Sequence, residues 1–286
     1  MSGEGGSFES FHVTNPRDGV RLHTLRWGHG PRIIVALHGL NAHGWHWRRT
    51  AERLGPEYSL VSYDLRGHGE SDKPETGYSY ADQGGDLDCV VRSVAGDRGR
   101  PLIVGHSLGA RIAMPWVTEH DPAGFAIVDP GIVPHVNGTP PPRTRTRQPL
   151  VHEYASREEF MERMRQTNFL RNWSAYSEEY AAMLIEPGEH AGSVHLRLTP
   201  PVMRLTMQDI AHVDLTELYS RIDCPALIIR ATEGHLGEAM AARMHAEIRG
   251  SELVTIEGSN HNVMLDRPEA FDAAFEPFLV RVFGRS

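Results

Sequence analysis

The chain has 286 residues, with 40% hydrophobic residues, 23% charged residues and a formal net charge of −8. This length suits one large α/β domain carrying an insertion, or two small domains. A net acidic surface argues against nucleic acid or an anionic membrane as a partner, because neither attracts it. Cys89 and Cys224 lie far apart without metal-type spacing, which predicts a reduced, disulfide-free protein. The N-terminal stretch is polar, with no basic and apolar signal regions, and no apolar run reaches the length of a membrane span. A cytoplasmic location is the resulting expectation.

Residues 8–14 and 20–27 alternate and flank an Asn-Pro-Arg-Asp-Gly turn, predicting an antiparallel edge hairpin. Residues 32–37 form a continuous apolar run, as in a strand buried on both faces, and end in His38-Gly39-Leu40. A helix is expected through about Leu54, a strand over 58–63, and a helix over 80–94 with Ala81, Leu87, Val90 and Val91 toward the sheet. Strands follow at 102–104 and 124–128, the second stopped by Asp129-Pro130-Gly131. The alternation then breaks down until about 213, in a stretch that is Pro-rich, Arg-rich and then helical and polar. It resumes with a strand at 226–231, a helix at 237–248, a strand at 252–256, a Gly258-Ser259-Asn260-His261 loop and a last helix over 267–282. Three segments result: a core at 1–131, a cap insertion at 132–213 and a second core part at 214–286. Alternating strands and helices predict a mostly parallel sheet covered on both faces, with its site outside the carboxyl ends of the strands.

Residues 105–109, Gly-His-Ser-Leu-Gly, lie between an apolar strand and a helix over 110–118 that Pro115 is expected to kink. This is the context in which a G-x-S-x-G pattern lifts its serine out of the chain at a sharp turn. A serine hydroxyl needs a base, and the base needs an acid to fix its tautomer. Ser107 is the candidate nucleophile. His261, after the last strand, is the candidate base. The N–H groups of Leu108 and Leu40 are candidates for an oxyanion hole. His38 reads as a structural hydrogen-bonding group at its strand end. His106 is expected to point to the other side of the turn from Ser107.

His38-Gly39, the 64–71 stretch Asp-Leu-Arg-Gly-His-Gly-Glu-Ser, Gly105-His106-Ser107-Leu108-Gly109 and His261 occur in one order along the chain. In these motifs the chain resembles the α/β-hydrolase fold family, over about residues 8–131 and 214–284. The resemblance implies a mostly parallel eight-stranded sheet with helices on both faces, an inserted helical cap, and hydrolysis of a small-molecule substrate through an acyl-enzyme without a cofactor. The family usually carries its acid after the penultimate strand. There Gly234 stands where aspartate is expected, and Glu233 comes one residue early. The family's other placement, after the preceding strand, falls on Asp129. A subgroup resembling ring-fission-product hydrolases uses that placement and shares Gly-His-Ser-Leu-Gly-Ala-Arg at the elbow, here through Arg111. Asp129 and Glu233 therefore both stand as candidate acids.

Substrate contacts are sparser in the sequence. Trp45, His46 and Trp47 either line a pocket or pack a helix on the sheet. Arg111 is a salt-bridge partner or a carboxylate binder, and Arg143, Arg145 and Arg147 form a solvated loop or meet an anionic substrate. Met203, Met207, Trp173 and Phe169 predict an apolar cap underside. The bond expected to be cleaved is an ester, lactone, amide or carbon–carbon bond. A lyase using His261 alone as base, or a small-molecule receptor without turnover, remains open on the same scaffold. His43 and His46, or His190 and His195, lack the carboxylate pattern of a zinc site.

Overall fold

The protein is described by a computed structural model covering residues 8–96, 99–131, 151–167, 169–210 and 212–284. Two strands, β1 (Phe8–Thr14) and β2 (Arg21–Trp27), pair antiparallel with Phe8 opposite Trp27. There follow β3 (Arg32–Leu37), a 3-10 turn (Gly44–Trp47) running into α1 (Arg48–Arg53), and β4 (Tyr58–Tyr63). Next come α2 (Tyr80–Ala95), β5 (Leu102–His106), α3 (Leu108–Glu119) and β6 (Gly124–Val128). Ser79 and Asp82 form a capping box that starts α2, and α3 is continuous across Pro115. Beyond Gly131 lie β7 (Glu153–Tyr154), α4 (Arg157–Gln166), α5 (Ala175–Ala182), β8 (Ile185–Pro187), β9 (Val194–Leu196) and α6 (Pro200–Ile210). A 3-10 turn (Thr216–Arg221) leads back to β10 (Ala226–Glu233), α7 (Glu238–Glu247), β11 (Glu252–Asn260), α8 (Val263–Asp266) and α9 (Pro268–Phe283).

Eight strands form one sheet in the order β1-β2-β4-β3-β5-β6-β10-β11. Every pairing from β4 to β11 is parallel, and the two at the β1 edge are antiparallel. The apolar runs are continuous because both faces are covered. Ile33, Val35, Ile103, Phe125 and Ile127 pack into the core on one face, with Leu87, Val90 and Ile112. Ile34, Ala36, Leu102, Val104 and Ala126 pack on the other, with Trp47, Phe271, Phe275 and Phe278.

The stretch read as helical and polar also contains a three-stranded antiparallel sheet, β7-β9-β8. Its strands are two or three residues long, too short for any periodicity to announce them. Phe160, Met164, Tyr180 and Leu184 form a separate core there, closed by Leu265 of α8. The Asp266 carboxylate accepts the N–H groups of Arg171 and Asn172 at 2.8 and 3.1 Å. The side-chain amides of Asn260 and Asn262 both donate to the Phe169 carbonyl, at 2.9 and 2.8 Å. β11 runs on to Asn260, through residues that read as a loop. Cys89 and Cys224 are free thiols. Among the described residues no helix is long and apolar enough to cross a membrane.

Candidate active site

Ser107 joins β5 to α3 with φ 54° and ψ −118°. A side chain is disfavoured at positive φ, at a cost of about 1–3 kcal/mol. The turn is tight enough that a Cβ on Gly105 would lie 2.4 Å from the Ala110 Cα, and one on Gly109 2.6 Å from the His38 carbonyl oxygen. Two backbone bonds hold the serine: its N–H donates to Val128 O at 3.0 Å, and its carbonyl accepts from the Arg111 N–H at 3.3 Å. Among the described residues, the other non-glycine residues at positive φ are Asn41, at 56°, and Asp129, at 38°. Asn41 follows Leu40 directly, so all three strained residues sit at or beside the carboxyl ends of neighbouring strands β3, β5 and β6. Such strain persists only where the surrounding structure over-determines it, and it tends to cluster at functional sites.

Asp129 is fully buried at the end of β6. Its Oδ2 lies 2.6 Å from His261 Nδ1 and accepts the His235 N–H at 2.8 Å. Its Oδ1 accepts the N–H groups of Leu236 at 3.2 Å and Ala231 at 3.3 Å. Burial raises the carboxyl pKa, and the His235 and Leu236 N–H groups oppose that rise. Burial also lowers the His261 pKa to about 3, which leaves a neutral imidazole at physiological pH, the form able to take a proton. With Nδ1 turned to Asp129, Nε2 is the ring nitrogen left for other contacts. No hydrogen bond joins His261 to Ser107 Oγ in this conformation, but both residues line one cavity of about 190 Å³.

Glu233 is not brought to His261. It pairs with Arg171, and its side chain is 44% exposed. The neighbouring Gly234 explains the separation, because a Cβ there would lie 2.2 Å from Asp129 Oδ2. The loop after β10 thus makes room for the carboxylate of the adjacent strand. His235, which no sequence motif singled out, stacks on His261 with ring centroids 3.7 Å apart and lines the cavity. Its place directly after Gly234 was the available signal. Burial and the neighbouring His261 lower its pKa to about 4.

The Leu40 and Leu108 residues line the cavity beside Ser107. Leu108 opens α3, where an N–H has no partner within the helix. The Gly39–Leu40 peptide is oriented from behind. His38 Nδ1 donates to the Gly39 carbonyl at 2.8 Å, and its Nε2 accepts the Leu65 N–H at 3.0 Å. Carbonyl and N–H point opposite ways across a trans peptide, so fixing the Gly39 carbonyl also fixes the direction of the Leu40 N–H. The 64–71 loop is anchored in turn by Asp64, which accepts the N–H groups of Gly44 at 2.6 Å and Glu70 at 2.8 Å and pairs with His23. Burial alone would raise the Asp64 pKa; these contacts outweigh it and hold the carboxyl below its ordinary range.

The remaining wall consists of Arg111, Gly131, Met207 and Ile210. Of the residues expected on an apolar cap underside, Met207 reaches this cavity. Phe169 and Trp173 pack against the cap's own core, and Met203 is exposed. Trp45 packs against Phe8 and Trp27 at 4.8 and 5.8 Å, away from the cavity. Trp47 is buried against Phe271, and His46 stacks on His106 at 4.9 Å. These three residues therefore pack the first helix onto the sheet. His106 donates from Nε2 to the His261 carbonyl at 2.9 Å, so it holds the His261 loop from below. Arg143, Arg145 and Arg147 lie outside the described residues. Among the described residues no cluster of His, Cys, Asp and Glu is arranged to hold a metal ion.

The 2-(acetamidomethylene)succinate hydrolase of Mesorhizobium japonicum is 25% identical over 264 residues, which cover 91% of this chain and 92% of that protein. The crystal structure of E-2-(acetamidomethylene)succinate hydrolase matches with a TM-score of 0.78 at 23% identity, over 96% of this chain and 99% of that one. An N-formylmaleamic acid deformylase of Pseudomonas putida S16 matches with a TM-score of 0.71 at 18% identity, over 93% and 100% of the two chains. At such identities the structural matches speak for a shared fold. A model of the alpha/beta hydrolase family covers residues 34–274, from within β3 into the first half of α9, and the chain belongs to that family.

Proposed function

We propose that the protein is a serine hydrolase that cleaves the acyl bond of a small amide-type substrate through an acyl-enzyme. Ser107 is the nucleophile, His261 the base, Asp129 the acid, and the N–H groups of Leu40 and Leu108 form the oxyanion hole. The observation that carries this reading is the 2.6 Å bond from Asp129 to His261 beside a strained strand-to-helix serine, with all three at the carboxyl ends of parallel strands, β5, β6 and β11, of one sheet. The bond type rests on the named activities of the relatives, a hydrolase of an acetamido compound and a deformylase.

The chemistry follows from the positions. Ser107 Oγ attacks the carbonyl carbon as His261 Nε2 takes its proton, and Asp129 stabilises the imidazolium. The oxyanion meets the two amides, and its collapse breaks the acyl bond while His261 returns the proton to the leaving amine. Water, activated by His261, then hydrolyses the Ser107 ester and releases the acid. Donors of this kind matter most in a water-poor site, which fits the apolar contribution of Leu40, Leu108, Met207 and Ile210.

A fluorophosphonate probe should label the wild-type protein at Ser107, and Ser107→Ala should abolish labelling and lower turnover of an acylated p-nitroaniline about 10⁶-fold. Absent labelling of a folded wild-type protein would overturn the reading. Full turnover in Ser107→Ala would support instead a lyase that uses His261 alone.

A further inference from the structure

Arg111 lies in the first turn of α3, and its side chain lines the same cavity as Ser107 and His261. It is 6% exposed. Its Nε donates to the Tyr80 hydroxyl at 2.9 Å and its Nη2 to the Val213 carbonyl at 2.8 Å, both neutral acceptors. No carboxylate pairs with it among the described residues, and its Nη1 has no acceptor there. Residues 132–150, outside that set, contain no Asp or Glu at all. The nearby acids are engaged elsewhere: Asp129 with His261 and three N–H groups, and Asp214, which is exposed, with the Thr216 N–H.

An arginine keeps its charge at any physiological pH. Removing that charge from water without a counter-ion is costly. Anchoring α3 to the chain at Val213 requires donors and no charge, so an uncharged side chain would serve that purpose at less cost. The surplus is a cation facing a small, largely apolar cavity. We propose that Arg111 receives a carboxylate of the substrate, so that the enzyme acts on small acyl compounds bearing a carboxylate away from the scissile bond. The carboxylate lies on the α3 side, while the reacting carbonyl lies between Ser107 and the amides of Leu40 and Leu108. A planar guanidinium with free N–H groups suits a carboxylate better than a point charge would. This assignment rests on the serine-hydrolase reading.

The test compares two p-nitrophenyl esters, the anionic mono-glutarate and the neutral hexanoate, at pH 7. Wild-type protein is expected to prefer the glutarate by at least tenfold in kcat/KM. In Arg111→Gln that preference ratio should fall by about 30-fold, the range for a charged hydrogen bond, and Arg111→Lys should recover part of it. A role confined to anchoring Val213 would lower both rates and leave the ratio unmoved, which would overturn the proposal, as would a wild-type enzyme indifferent to the charge. Should Arg111→Gln not fold, free glutarate is expected to protect wild-type Ser107 from fluorophosphonate labelling where glutaramide does not; equal or absent protection would overturn it. Loss of labelling altogether, with neither ester cleaved, is the separate signature of failure of the serine-hydrolase reading.

Discussion

The ends of β6 and β10 are neighbours in the sheet, and each carries a carboxylate, yet their surroundings could hardly differ more. Asp129 is fully buried, strained at positive φ, and accepts three backbone N–H groups besides facing His261. Glu233 is half exposed and paired with Arg171 of the cap. The difference comes from one residue without a side chain. Gly234 turns the β10 loop so that its N–H groups, and not a carboxylate, point inward, and Asp129 fills the space. An acid can therefore change strands within this architecture if the donating loop shrinks where the receiving strand end grows.

This contrast can be broken at either end. Asp129→Asn should lower kcat about 10⁴-fold, the scale set when a triad acid no longer fixes the base's tautomer, while Glu233→Gln should stay within threefold. The reverse pattern in turnover would move the acid to β10. A smaller loss, about 10²-fold in kcat, is expected from Gly234→Ala, because a Cβ 2.2 Å from Asp129 Oδ2 must displace the carboxylate by a fraction of an ångström or more. Unchanged kcat in that variant would mean that the loop's close approach has no bearing on the base.

Acid should sharpen the same contrast through stability. Burial lowers the pKa of His38 to about 3, His43 to about 4, His68 to about 4 and His106 to about 3, and that of His261 to about 3. Their unfolded values stay near 6.5, so between pH 6.5 and about 4 the unfolded chain binds protons that the native chain refuses. Stability is then lost as pH falls, by about 1.4 kcal/mol per pH unit for each such histidine, a tenfold change in the folding equilibrium. Tm should decline steadily from pH 6.5 to 4.5, and Glu233→Gln should leave that slope as it is, since a half-exposed pair adds little. A flat Tm over this range would contradict neutral burial of these rings.

The strands of the core were legible because buried parallel strands are continuous apolar runs; β3, β4 and β6 fall on the expected residues. The turn at Ser107 was legible because its glycines and its strand-to-helix setting are local. The choice between Asp129 and Glu233 was not, since it depends on space between strands that are about 100 residues apart in sequence, although Gly234 was its visible trace. Trp45 and Trp47 were ambiguous for a similar reason: an aromatic residue in the turn after β3 has the same identity whether it lines a pocket or packs on a neighbouring element. The small β7-β9-β8 sheet left no pattern at all, and only its place directly after Gly234 marked His235, whose ring meets His261.

The carbonyl of Phe169 takes the side chains of both residues that flank His261. A single backbone oxygen thereby sets the height of the His261 loop. Exchange of caps between relatives, the obvious way to transplant specificity, would have to carry that one acceptor in register. A chimera lacking it would keep its pocket and its fold, and would present His261 out of register to every substrate alike.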